Sequence, residues 1–122
     1  MKNLINWFEI PADNFNRAAS FYKAILVVDI KTAEMFGTKM GFFPFDGKNI
    51  SGAIVQGDNY KPSSVGILAY LNGEDDLQLM LDKIESSGRK IIVPKTQISP
   101  EMGSFATFID SEGNKMVIHS NH

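Results

Sequence analysis

Hydrophobic and polar positions along this chain follow two periods, and the switch between them occurs twice in the same order. Residues 4–10, LINWFEI, alternate as a strand does, with Ile5, Trp7 and Glu9 on one face and Phe8 and Ile10 on the other. Pro11 closes this strand. Ala12-Asp13-Asn14 reads as a helix start, because Asp and Asn side chains accept from the first free backbone N–H groups. The following FNRAASFYKAIL, residues 15–26, places Phe15, Ala18, Tyr22 and Ile25 on one helical face, with Phe21 broadening the stripe. Residues 27–31, 35–44 and 51–56 then read as strands, with a turn over 46–49 between the last two.

A polar stretch, GDNYKPSSVG at 57–66, separates this half from a second one with the same element order. Residues 65–71 read as a strand and 74–87 as a helix with Leu77, Met80, Leu81 and Ile84 inward; Gly88 is its left-handed stop. Strands are expected at 90–93, 103–109 and 115–119, with residues 110–114 forming the last hairpin turn. The chain is therefore expected to be α+β, with β-α-β-β-β written twice. The two modules would cover about 3–56 and 65–120 of one domain spanning 1–122, joined by a linker at 57–64. Each module packs a helix on one sheet face and leaves the other bare. Two modules edge to edge would make a curved eight-stranded mixed sheet with helices outside and a concave face for a ligand.

Composition narrows the chemistry. A hydrophobic fraction of 43% with nine phenylalanines can fill a core. The net charge of −2 is spread over interspersed charges without a basic stripe, which argues against nucleic-acid binding. With no cysteine, disulfides and thiolate metal sites are excluded. The N-terminal run is too short and too polar for a signal peptide, and no window reaches a membrane span, so a soluble cytoplasmic protein is expected. No phosphate loop, nucleophile elbow or calcium loop occurs.

The run FEIPADNFNRAASFYKAIL, the segment SGAIVQG, the segment VPKTQISPEMGSFATFIDSEGN and the repeated module resemble the vicinal-oxygen-chelate superfamily. That superfamily includes glyoxalase I, extradiol dioxygenases, and bleomycin and fosfomycin resistance proteins; the glyoxalase-like bacterial branch is the nearest in character. The resemblance implies a paired βαβββ fold, often a dimer, and in metal-dependent members one divalent ion held by side chains of the first and last strand of each module; because the edge strands and the aromatic third strand need cover, a homodimer is expected. Such an ion needs converging His, Glu or Gln donors with open positions for substrate. Carried over one by one, those positions fall at Ile5, near Gly52 or Ala53, at Ile67 and at Val117. None of these can bind a cation, so the expectation is that no cofactor or divalent metal is used.

The candidate ligand-binding residues are then Ile5, Trp7, Glu9, Ile67, Val117 and His119. Trp7, Glu9 and His119 would line the groove over an apolar floor of Ile5, Ile67 and Val117. Glu9 and His119 are the candidate catalytic groups, as a general base and as a proton shuttle. His119 is two residues beyond Val117 and shares its face, while His122 ends the chain, where fraying is expected. Phe36, Met40, Phe42 and Phe45 make the third strand aromatic enough to wall a pocket or meet a partner subunit. Lys95 and Thr96 are placed in a Pro-flanked loop at the pocket mouth. The expected function is binding of a small apolar or aromatic molecule. An enzyme (lyase, isomerase or dioxygenase) using a shifted metal site or Glu9 is the alternative, and an interaction subunit filled by its own aromatics is a third reading.

Overall fold

The computed structural model describes residues 3–122. The chain divides into two units, the first reaching Pro62 and the second running from Ser63 to His122. Each is a βαβββ module with its own four-stranded mixed sheet.

The first module comprises β1 (Trp7–Pro11), α1 (Phe15–Leu26), β2 (Lys31–Met35), β3 (Thr38–Phe42) and β4 (Ser51–Gln56). Its strand order is β1-β4-β3-β2, with β1 parallel to β4 and the other pairs antiparallel. Pro11 lies inside β1, not after it. This is an edge strand, where the missing N–H breaks no ladder. The strand starts later than residue 4 because β4, its sole ladder partner, offers nothing to pair with before Ser51.

Helix α1 has the predicted bounds. Asn14 caps it by accepting from the Arg17 N–H at 3.1 Å, and Gln56 Oε1 accepts from the Phe15 N–H at 2.6 Å. Val27 ends it in the left-handed region, at φ 55°, and thereby delays the next strand to Lys31. The expected strand over 35–44 is instead split. Phe36 and Gly37 both have positive φ, 55° and 73°, and make the two-residue turn of the β2–β3 hairpin.

The second module comprises β5 (Tyr70–Asn72), α2 (Gln78–Ser86), β6 (Ile91–Ser99), β7 (Gly103–Ile109) and β8 (Lys115–Ser120), in the order β5-β8-β7-β6. Helix α2 starts four residues later than predicted. Glu74 has φ 61° and its N–H bonds the Asn72 side chain, so 74–76 form a turn ahead of the helix. Gly88 adopts the predicted left-handed stop, at φ 84°. Residues 110–114 form the predicted turn: Asp110 Oδ1 accepts from the Glu112 and Asn114 N–H groups at 2.8 and 2.9 Å.

Candidate ligand-binding face

Side-chain alternation in the first module separates two faces cleanly. Phe8, Ile10, Phe43 and Ile54 pack with α1: Phe8 stacks on Phe43 at 5.9 Å, and Phe43 meets Tyr22 edge-on at 6.0 Å. Gly52 belongs to that side, because a Cβ there would collide with the Phe8 carbonyl and ring. The opposite face, free of helix, carries Trp7, Glu9, Met40, Phe42, Ala53 and Val55.

On this face Met40, Ala53 and Val55 form a buried floor, with Trp7, Phe42 and Tyr60 partly buried against it. Trp7 lies 6.2 Å from Phe42 at a 53° tilt and 5.7 Å from Phe45 in an edge-to-face arrangement. Phe45 is beyond β3 and still 62% exposed, so the aromatic group is open to solvent on one side. Glu9 is exposed two residues from Trp7 on the same face. The Tyr60 hydroxyl donates to its carboxylate. The negative charge of Glu9, followed by lost hydration and that hydrogen bond, raises the Tyr60 hydroxyl above its ordinary value of 10.0. Tyr60 also borders an open cleft of about 700 Å³ at the far end of the β2–β3 hairpin, with Glu34, Lys39, Gln56, Asp58 and Lys61 on its walls. That cleft is polar and shares only Tyr60 with the aromatic face.

The structure thus brings Trp7 and Glu9 together and adds Tyr60, which the sequence reading passed over as part of a polar linker. Ile5 does not join them as a strand residue: it precedes β1 and is 57% exposed. In the second module Val117 and His119 share the face away from α2, as alternation predicts, since Ile118 and Ser120 meet Gly73 and Leu77 on the helix side. Val117 is buried. The His119 ring is already engaged, with Nε2 2.6 Å from the Met102 carbonyl. A carbonyl only accepts, so Nε2 carries the hydrogen of this bond. Ile67 is not on a strand at all. The Lys115 N–H bonds the Ser63 carbonyl and the Val117 N–H bonds Ala69, so the intervening segment must loop out, and Ile67 is fully exposed on it.

A further expectation is corrected here. Lys95 and Thr96 are inside β6, an edge strand that absorbs Pro94 with register shifts. Lys95 is tied to Asp76 at 2.7 Å, and the Thr96 hydroxyl donates to the Pro94 carbonyl at 2.8 Å. His122 is held by its carbonyl, which accepts from the Ser120 hydroxyl at 2.7 Å.

A chelated divalent ion would need converging hard or borderline donors. Of the positions that the resemblance assigns to it, Ala53 and Val117 are buried and apolar, Ile5 and Ile67 are outside the strands, and Gly52 faces the helix. Among the described residues no group of three or more His, Cys, Asp or Glu side chains is arranged to hold a metal. These side chains do not fit the ion. No helix among the described residues is long and apolar enough to cross a membrane.

Comparison with known proteins agrees with this architecture. The family model of the Glyoxalase/Bleomycin resistance protein/Dioxygenase superfamily matches residues 4–118. No curated protein matches the chain by sequence. Among solved structures, a glyoxylase/bleomycin resistance protein/dioxygenase domain from Frankia sp. EAN1pec superposes with a TM-score of 0.78 at 12% identity, covering 100% of both chains. Glyoxalase I from Zea mays gives 0.73 at 13% identity; the match covers 95% of this chain and 44% of the maize enzyme. TnmS3, an antibiotic binding protein from Streptomyces sp. CB03234, gives 0.71 at 21% identity over 97% of this chain and 95% of its own. At these identities the likeness is one of fold.

Proposed function

The chain belongs to the Glyoxalase/Bleomycin resistance protein/Dioxygenase superfamily, and from that premise we propose that it is a small-molecule-binding member that holds a largely apolar or aromatic ligand on its helix-free sheet face, without a divalent metal. The observation that carries this reading is the group of Trp7, Phe42 and Phe45 over the Met40–Ala53–Val55 floor. Large rigid aromatics at a solvent-open face offer contact area to a flat molecule at small entropic cost. The chemistry of the expected ligand positions supports metal independence, since apolar walls make an ion costly to hold. TnmS3, which shares the fold, is an antibiotic binding protein, and this supports a binding role. We assign the protein to the cytoplasm and to a homodimer on the same premise.

An enzymatic role with Glu9 as base is the second reading. Glu9 is exposed on the same face as Trp7, where a base could meet a bound ligand.

The test is a calorimetric titration of chelator-treated protein with Ni²⁺, Zn²⁺, Mn²⁺ and Fe²⁺, beside a fluorescence titration of Trp7, the sole tryptophan. Saturable quenching by flat organic molecules that is insensitive to chelator is expected. Tight one-to-one metal binding would overturn metal independence and bring the enzyme reading forward.

A further inference from the structure

We infer that the ligand of this face is a planar aromatic cation, because the structure sets an exposed carboxylate beside an open aromatic wall and gives it no ion-pair partner among the described residues. This rests on the ligand-binding reading above and deepens it by naming the charge.

Glu9 and Trp7 are next neighbours on one face of β1, so their side chains leave the strand roughly 7 Å apart. That separation is about the width of a fused ring system, with an amine at one edge reaching the carboxylate while the rings lie against the indole. The neighbouring cation Lys39 is unavailable, because it lies on the helix side, 5.5 Å from the centroid of the Phe15 ring. The partner of Glu9 on the face is the neutral Tyr60 hydroxyl. A carboxylate has about four acceptor positions, so one bond from Tyr60 leaves room for ligand N–H donors. The indole face adds a preference of the same sign, since Trp is the strongest of the aromatic side chains in attracting a cation. A neutral ligand would use the wall and leave Glu9 idle; an anionic ligand would be repelled by it.

The measurement is a Trp7 fluorescence titration with proflavine, a flat ring system that is protonated at neutral pH, against acridone, a neutral ring system of similar size. Proflavine is expected to bind roughly tenfold more tightly than acridone, with the difference shrinking as salt is raised. Glu9→Gln should narrow the gap severalfold by weakening proflavine alone, leaving only the smaller preference of the indole. Tyr60→Phe, which keeps the charge and removes only the hydroxyl, should retain the preference for proflavine. Equal affinities that Glu9→Gln does not change would overturn the charge inference and leave the aromatic-binding reading standing. Failure of both dyes to quench Trp7 would remove both.

Discussion

At the scale of single residues, the pair Glu9–Tyr60 is the most consequential contact on the open face, and only half of it was legible in the sequence. Glu9 could be placed on that face by counting along β1 from Trp7. Tyr60 could not, because it lies in a loop whose path depends on how the chain leaves β4, and no period marks it. The pair has a direct readout. The Glu9 charge favours the protonated phenol in the folded state, so the Tyr60 hydroxyl ionises above 10.0. The sign follows: a group that holds its proton more tightly when folded adds stability below the unfolded value, and that stability is lost as pH rises through the folded one. Glu9→Gln should therefore move one phenolate absorbance transition of the three tyrosines downward towards 10.0. If the transitions do not shift, the Glu9 charge does not act on the Tyr60 hydroxyl and the pairing of the two groups is wrong. At the same scale, Ile5 and Ile67 show where position counting fails. The count presumes an unbroken strand, and both residues precede the first ladder pair of their strands.

At the scale of elements, amphipathic periodicity identified what it physically encodes. Helix α1, β4 and β7 have the predicted bounds because each buries one regular face and ends at an unambiguous signal. The misplaced elements share another cause: a local device overrode the pattern. Pro94 suggested a loop, yet β6 continues through it because an edge strand needs no N–H there. The β2–β3 hairpin was missed because its turn carries Phe36 where Asn or Asp would announce the positive φ. That position is strained, since a left-handed conformation costs an ordinary L-residue about 1–2 kcal/mol. Phe36 is also 96% exposed, so its ring offsets none of this by packing. Phe36→Asn should stabilise the protein by about 1 kcal/mol and raise Tm by a few degrees. Thermal unfolding measures it directly. An unchanged or lower Tm would mean that the Phe36 ring is covered by something outside this chain.

At the scale of the whole molecule, exposed apolar surface, more than open sheet edges, points to self-association. Each sheet has two edge strands, β1 and β2 in the first module and β5 and the nine-residue β6 in the second; β2 and β6 are the edges reached through antiparallel pairing. Proteins cover, charge or distort such edges, because free N–H and C=O groups recruit other strands. Lys31 and Glu34 guard β2, and β6 is distorted by Pro94 and its register shifts, so neither edge needs a partner strand. The apolar surface is guarded less well. Val65 and Ile67 stand on the loop ahead of β5 at 81% and 103% exposure, with Tyr70 at 61% close behind them. Three large apolar side chains within six residues of one another, outside any strand ladder except at Tyr70, form a patch that a monomer gains nothing by exposing. A symmetric dimer would cover it with the same surface of a second copy, provided that the contact extends to roughly 1,000 Å² in total. Light scattering at micromolar concentration should then give about twice the chain mass of 13.5 kDa. Ile67→Lys should shift that mass towards the monomer without lowering the stability of the fold, because the side chain packs against nothing in its own chain. A monomeric mass for the unaltered protein across the micromolar range would leave the patch free for another partner and end the dimer proposal.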